Sequence, residues 1–255
     1  MSSRYVDGRV SVIMPVYNAG RFIGRALESV FKQTYRDIEI VLVDDCSTDN
    51  SAEIIKSYQT EHPEIIYHLQ EKNMGAGVAR NMALEMATGR YVAFLDSDDV
   101  WLPDKISRQI SLMKQKEAQF SYAAIEMIDE NDMVVKTKRS IREECDYYYL
   151  LKNTIIATSS VVVDRVLAGD FRMSLRRGGQ DYATWLKLLR GGTIAHGINE
   201  VLVKYRLTPG SLSSNKFKSI RQVWEIQVND EQINVFKASV NIIFFLINAL
   251  KKYLF

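Results

Sequence analysis

The chain has 255 residues, 47% of them hydrophobic and 25% charged, an ordinary globular composition with enough apolar side chain for one large or two small domains. A formal net charge of +2 excludes the strongly basic profile of a nucleic-acid binder, although eight basic and three acidic residues from Lys204 onward give that segment +5 against −3 before it. Two cysteines, Cys46 and Cys145, argue against a disulfide framework and suit a reducing compartment, and no signal peptide is evident at the N-terminus.

Val10 to Val16 is a β-branched run ending in proline, and Tyr17-Asn-Ala-Gly20 supplies a turn. From Arg21 to Thr34, Phe22, Ile23, Ala26, Leu27, Val30 and Phe31 recur at three- and four-residue spacing on one helix face. Ile38 to Val43 is a second strand, ending in Asp44-Asp45-Cys46-Ser47-Thr48-Asp49, and Ser51 to Tyr58 returns to helical spacing. Ile65 to Leu69 is a third strand, Ala76 to Ala87 a third helix and Tyr91 to Leu95 a fourth strand, buried on both faces. This alternation predicts a doubly wound, mostly parallel sheet, whose ligands lie beyond the carboxyl ends of the strands. The polar loops 15–20, 44–49 and 96–99 fall there.

The fourth strand runs into Asp96-Ser97-Asp98-Asp99. Three carboxylates after a buried strand are costly without a cation. Asp96 and Asp98, on the same side of an extended chain, suit Mg²⁺ or Mn²⁺ that also holds a phosphate. For Asp99 and Asp104 the favoured reading is a cap on a helix beginning near Pro103. The chain has no P-loop, and Gly75-Ala-Gly77-Val-Ala-Arg80 lacks the last glycine of a dinucleotide fingerprint, so a Rossmann dehydrogenase is not expected.

Beyond Trp101 a helix to about Lys116 and a strand at 120–127 precede a less regular half. Asp129 to Asp132 reads as a hairpin turn, Asp146 to Lys152 as a short helix, and Ser159 to Val163 as a short strand. Gly178-Gly179-Gln180-Asp181 leads into Tyr182 to Leu189, where Tyr182, Trp185, Leu186 and Leu189 share a helical face. Asp181 either complements the helix dipole or serves as a general base at the rim of the Asp96 and Asp98 cleft. A last strand is expected at 199–206, then a hydroxyl-rich loop, then a helix from Phe217 to about Val235. The final stretch contains Ile242-Ile-Phe-Phe-Leu-Ile247 followed by Lys251 and Lys252. This run is too short to span a bilayer, which takes about 20 residues. It either lies at a membrane interface or packs on the body or a second subunit.

Five ordered motifs resemble a family 2 glycosyltransferase with the GT-A fold. They are Val-Ser-Val-Ile-Met-Pro-Val-Tyr-Asn from Val10, Ile-Val-Leu-Val-Asp-Asp-Cys-Ser-Thr-Asp from Ile40, Gly-Val-Ala-Arg-Asn from Gly77, Tyr-Val-Ala-Phe-Leu-Asp-Ser-Asp-Asp from Tyr91, and Gln-Asp-Tyr-Ala-Thr-Trp-Leu from Gln180. The resemblance runs to at least Lys216. Gln180 to Leu189, Tyr205-Arg206 and Gly210 to Lys216 look most like the teichuronic-acid, O-antigen and capsule branch.

The resemblance implies a glycosyltransferase domain over 1–215, with a nucleotide-sugar donor half at 1–102 and an acceptor half at 103–215, and a helical extension at 216–255. Pro15, Val16 and Tyr17 would line the nucleotide site, and Asp45 would accept from the ring N–H of a base, favouring uracil. Asp96 and Ser97 would face ribose and diphosphate, Asp98 and with it Asp96 would hold the metal, and Arg80 and Arg206 would meet phosphate. Asp181 would be the base of an inverting displacement, although the family's usual acidic pair is Gln180-Asp181 here, which bears on acceptor orientation. The expected donor is a UDP-sugar, and the expected acceptor is a glycan or lipid-linked glycan of a bacterial surface polysaccharide. The expected location is cytoplasmic, with peripheral contact at the inner membrane face, and a homodimer stays open. Two other readings stay open, direct transfer to polyprenyl phosphate and a non-catalytic nucleotide-sugar-binding subunit.

Overall fold

The computed structural model describes residues 4–207 and 216–254, with the side chains of 136, 137, 139, 216, 217 and 250–254 left aside. Its elements are β1 (Val6–Val16), α1 (Ile23–Phe31), β2 (Ile38–Asp44), α2 (Ser51–Gln59), β3 (Ile65–Leu69), α3 (Ala76–Met86), β4 (Gly89–Phe94), β5 (Val100–Trp101), α4 (Lys105–Lys116), β6 (Phe120–Ile128), β7 (Val134–Arg139), β8 (Glu144–Cys145), α5 (Tyr147–Leu150), β9 (Val162–Asp164), α6 (Arg165–Ala168), α7 (Gln180–Leu189), β10 (Ala195–Arg206), α8 (Lys216–Glu225) and α9 (Val235–Leu254). A 3₁₀ turn, Thr158–Ser160, precedes β9, and a π turn, Ile226–Asp230, follows α8.

The strands form one sheet in the order β3-β2-β1-β4-β9-β6-β10-β5, with β7 on β6 and β8 on β10. The first four strands pair in parallel, as the alternating sequence predicts. β9 is inserted antiparallel between β4 and β6. Two reversals restore the direction, so β6 and its parallel partner β10 run the same way as β4. The carboxyl ends of β1, β2, β4, β6 and β10 therefore share one edge of the sheet, and the 3₁₀ turn entering β9 lies at that edge too.

Alternation along the strands divides the core into two layers. Ile13, Val41, Val43, Val92 and Phe94 face α3 and α7, while Val12, Met14, Ile40, Leu42 and Ala93 face α1, α2 and α4. Trp185 of α7 meets Phe94 and Phe120 with ring centroids 5.5 and 5.2 Å apart. Each such large buried side chain contributes roughly 1.5–3 kcal/mol of transfer free energy and fixes where α7 lies on the sheet.

Three local expectations are corrected. Ser159 and Ser160 belong to the 3₁₀ turn and not to the strand, because Ser160 N donates to Ala157 O. Asp104 occupies the N-cap position of α4 without capping it; its carboxylate accepts from Thr34 Oγ1 at 3.0 Å. The helix expected from Phe217 to Val235 is broken by the π turn and by Gln232 at φ +54° before α9 begins. The loop Gly210 to Asn215 lies outside the described residues. Among the described residues, no helix is long and apolar enough to cross a membrane.

Candidate active site

The loops after β1 and β2 are laced together. Asn18 and Cys46 adopt left-handed backbone at φ +49° and +66°, a conformation that non-glycine residues take mainly where surrounding contacts enforce it. Those contacts are present. Asn18 N donates to Ser47 Oγ, Thr48 N to Asn18 Oδ1, Ala19 N to Ser51 Oγ, and Gly20 N to Asp49 Oδ2, all at 2.8–2.9 Å. Within this frame Tyr17 is 52% exposed, whereas Val16 is core at 1% and Pro15 is buried. Of the three residues expected to line a nucleotide, only Tyr17 presents a side chain to solvent.

Asp45 has both carboxylate oxygens engaged by the protein. Oδ1 accepts from Gln70 Nε2 at 2.8 Å and Met74 N at 2.7 Å, and Oδ2 from Gly75 N at 2.7 Å. Asp44 beside it accepts from Ser47 N and Tyr67 Oη. Asp45 thus holds the 70–75 segment at the sheet edge, a structural duty that its expected contact with a base does not include. Gln70 and Tyr67 went unnoticed in the sequence, where they are an ordinary glutamine after a strand and an ordinary strand tyrosine.

The acidic loop after β4 is built just as tightly. Buried Arg80, one turn into α3, donates to Asp96 Oδ1 at 2.5 Å. Asp96 N donates to Ser159 Oγ at 3.0 Å, and that hydroxyl donates to Asp99 Oδ2 at 2.5 Å. Asp99 is 1% exposed, and its other oxygen accepts from Arg206 N at 2.7 Å. Burial, reinforced by the neighbouring Asp98 and Asp96 charges, pushes its carboxyl well above the usual range. Asp99 is therefore an internal brace and not a helix cap. Ser159 is the residue that orders the loop. Its signal is the hydroxyl run Thr158-Ser159-Ser160 standing immediately before a buried apolar strand.

Arg206 is placed differently from expectation. Its side chain is fully buried, with Nε donating to Asp98 O at 2.7 Å, Nη1 to Asp129 O at 2.6 Å and Nη2 to Asp132 Oδ1 at 2.6 Å. The guanidinium also lies over the Phe22 ring, 4.6 Å from its centroid. It ties the acidic loop to the β6–β7 turn and does not reach outward to a phosphate.

Ser97 and Asp98 are half-buried at the tip of the acidic loop. Arg80 engages one oxygen of Asp96 and Asp99 is internal, so Asp98 and Asp96 stay the carboxylates of this loop expected to hold a metal. Among the described residues no group of three carboxylate, histidine or cysteine side chains is placed to hold a metal ion by itself. One or two carboxylates fit Mg²⁺ or Mn²⁺ that takes the rest of its shell from diphosphate oxygens and water, a common arrangement for Mg²⁺.

Asp181 stands in the first turn of α7, whose N-cap, Gly179, has φ +68°, a conformation glycine adopts without steric cost. Thr158 Oγ1, on the same 3₁₀ turn as Ser159, donates to Asp181 Oδ2 at 3.5 Å. Asp181 is half-buried by surface area yet densely surrounded, and desolvation raises its carboxyl above the ordinary aspartate range. The Arg80 charge opposes that rise and the Asp96 charge reinforces it. Arg80, Asp96 and Asp181 thus act on one another electrostatically. The start of α7 is pressed against α3, since a Cβ on Gly77 would lie 2.6 Å from Gln180 Oε1 and 2.8 Å from Ser174 O. Gln180 Oε1 is buried without a hydrogen-bond partner where α7 meets α3.

A family model described as "Glycosyl transferase family 2" matches residues 11–177. A putative teichuronic acid biosynthesis glycosyltransferase of Bacillus subtilis, TuaG, is 40% identical over 243 residues, covering 95% of this chain and 96% of that protein. The Escherichia coli UDP-Glc:alpha-D-GlcNAc-diphosphoundecaprenol beta-1,3-glucosyltransferase WfgD is 38% identical over 221 residues, covering 86% of this chain and 85% of that one. Among solved structures, S. aureus TarS 1–349 in complex with UDP-GlcNAc superposes with a TM-score of 0.70 at 20% identity, over 93% of this chain and 71% of that one. The mannosyltransferase PcManGT of Pyrobaculum calidifontis, in complex with GDP-Man and Mn²⁺, gives 0.69 at 20% identity over 89% of this chain and 65% of that one. The two structures establish the shared GT-A fold.

Proposed function

Because this chain belongs to glycosyl transferase family 2, we propose that this glycosyltransferase moves a sugar from a UDP-sugar to a lipid-linked intermediate of a bacterial surface polysaccharide, with inversion at the anomeric carbon. The observation that carries the proposal is the convergence of Arg80, Asp96 and Asp181 at the sheet edge where the parallel strands end. A cation and two carboxylates of different character lie within electrostatic reach of one another. One carboxylate is paired with arginine, and the other is desolvated into a better proton acceptor.

The chemistry follows from those roles. Asp181, whose raised pKa brings it closer to working pH, accepts the proton of the acceptor hydroxyl as that oxygen attacks the anomeric carbon. The bond from that carbon to the diphosphate oxygen breaks on the opposite face. Arg80, paired with Asp96, lends positive charge near the departing diphosphate. Asp98 would hold Mg²⁺ or Mn²⁺, which supplies further neutralisation of the leaving group. Ser159 and Arg206 keep the Asp96–Asp99 loop in shape.

The relatives support the choice of substrates. WfgD is described as using UDP-glucose and a diphosphoundecaprenol-linked sugar, and as forming a β-1,3 bond; a β product from an α-linked nucleotide sugar is an inversion. A lipid-linked acceptor would place the enzyme peripherally at the inner face of the cytoplasmic membrane. Calorimetric titration of UDP, GDP and CMP, first with Mn²⁺ and then with EDTA, tests the donor assignment. UDP-selective binding that weakens in EDTA supports it. GDP preference would overturn the uracil role of Asp45, and metal-independent binding would overturn the role of Asp98.

A further inference from the structure

α9 is apolar on two opposite faces, and the protein covers only one. Ala238, Asn241, Ile242 and Phe245 pack inward on the α7 side of the sheet. The other face presents Phe236 at 79% exposure, Val240, Ile243 at 56%, Phe244 and Ile247. All charges on this helix, Lys237, Lys251 and Lys252, are positive. Lys152 of the neighbouring segment brings its ammonium 5.2 Å from the centre of the Phe244 ring. The nearest preceding acids, Asp230 and Glu231, are committed to Arg176 and Arg190.

We propose that the outer face of α9 is an interfacial docking surface for an anionic lipid bilayer. Charge selects this occupant over a second copy of the chain. A two-fold contact through the same face would oppose lysine to lysine with no acid on the helix to compensate, whereas a lipid surface bearing phosphate headgroups matches both the apolar stripe and its basic flanks. The helix is tied to the body by a hydrogen-bonded chain. Asn241 Nδ2 donates to Gln227 Oε1, and Gln227 Nε2 donates to Leu151 O and Tyr182 Oη at 2.8 and 3.2 Å. Tyr182 is the residue after Asp181. Docking of α9 thus holds the helix bearing the proposed base at a fixed offset from the membrane, where a lipid-linked acceptor would be presented. The inference deepens the proposed function and rests on it for its purpose, but it is tested without substrates.

The test is co-sedimentation of the full chain with vesicles of phosphatidylcholine alone and of phosphatidylcholine mixed with phosphatidylglycerol, in the absence of nucleotide and acceptor. The chain should bind the mixed vesicles, less in high salt and less to phosphatidylcholine alone. The double variant Ile243→Glu/Ile247→Glu, at exposed positions, should lose binding while keeping its UDP affinity, and Lys237→Ala should bind about fivefold more weakly. Met133→Glu, an exposed apolar position on the β6–β7 turn, should bind as the parent does. Absence of vesicle binding by the parent chain, or binding unchanged in the double variant, would overturn the inference. So would a parent dimer that the double variant converts to monomer. None of these outcomes would touch the UDP titration.

Discussion

Asp181 owes its proposed role to its surroundings more than to its identity. Desolvation raises its pKa, and Arg80 limits the rise. A base must be deprotonated to act, so activity should fall as pH drops through the raised value. The acid limb of log kcat/KM should therefore sit above the ordinary aspartate value of 3.8 with a slope of about one per pH unit. The pH profile of UDP-sugar transfer checks this, and an activity that stays flat down to the ordinary value would contradict it. At this scale the sequence exposes the acids and hides their partners. Asp45, Asp96, Asp98 and Asp181 stand out because carboxylates at strand ends and helix starts are chemically conspicuous. Gln70 and Ser159 meet them from 25 and 63 residues away; the hydroxyl run at 158–160 marks Ser159 as unusual, but nothing local to either residue names the partner that the fold brings to it. Arg206 shows the converse, a conspicuous cation that the fold turns inward.

The site depends on the contact between α3 and α7, which carry Arg80 and Asp181. Gly77 is a point of close approach. In Gly77→Ala the new methyl would meet the Ser174 carbonyl, which is backbone and cannot rotate away, as well as the Gln180 side chain. Overpacking of this kind costs about 1–3 kcal/mol. It should also move the first turn of α7, so turnover should fall more than UDP affinity does. Chemical denaturation and calorimetry on the same preparation check the two effects. Unaltered stability and turnover would show that the helices have room to separate. The helices and parallel strands were legible because each keeps a sustained period of 3.6 or 2 residues. β9 is three residues long, and its antiparallel direction is set by its slot between β4 and β6. The break between α8 and α9 carries neither proline nor glycine and rests on a π turn and Gln232; its one mark in the sequence is Asn234, whose side chain accepts from Lys237 N at the start of α9.

Across the whole molecule, one sheet places the loops after β1 and β2, the acidic loop and Asp181 at a common edge, and the C-terminal helix is tied to the same assembly through Gln227 and Tyr182. That common edge was legible from strand alternation, since parallel strands end together. The outward face of α9 was foreshadowed by an apolar run next to lysines, though which side of it packs inward required the fold. The measurement that bears most directly on the account is transfer from a panel of UDP-sugars, UDP-glucose included, to a synthetic lipid-diphosphate-linked sugar by the parent chain and by Asp181→Asn, with the anomeric configuration of the product read by NMR. A β-linked product is expected, with turnover lower by roughly two to four orders of magnitude in the variant and UDP affinity retained. Unchanged turnover in Asp181→Asn, or an α-linked product from an α-linked donor, would contradict it.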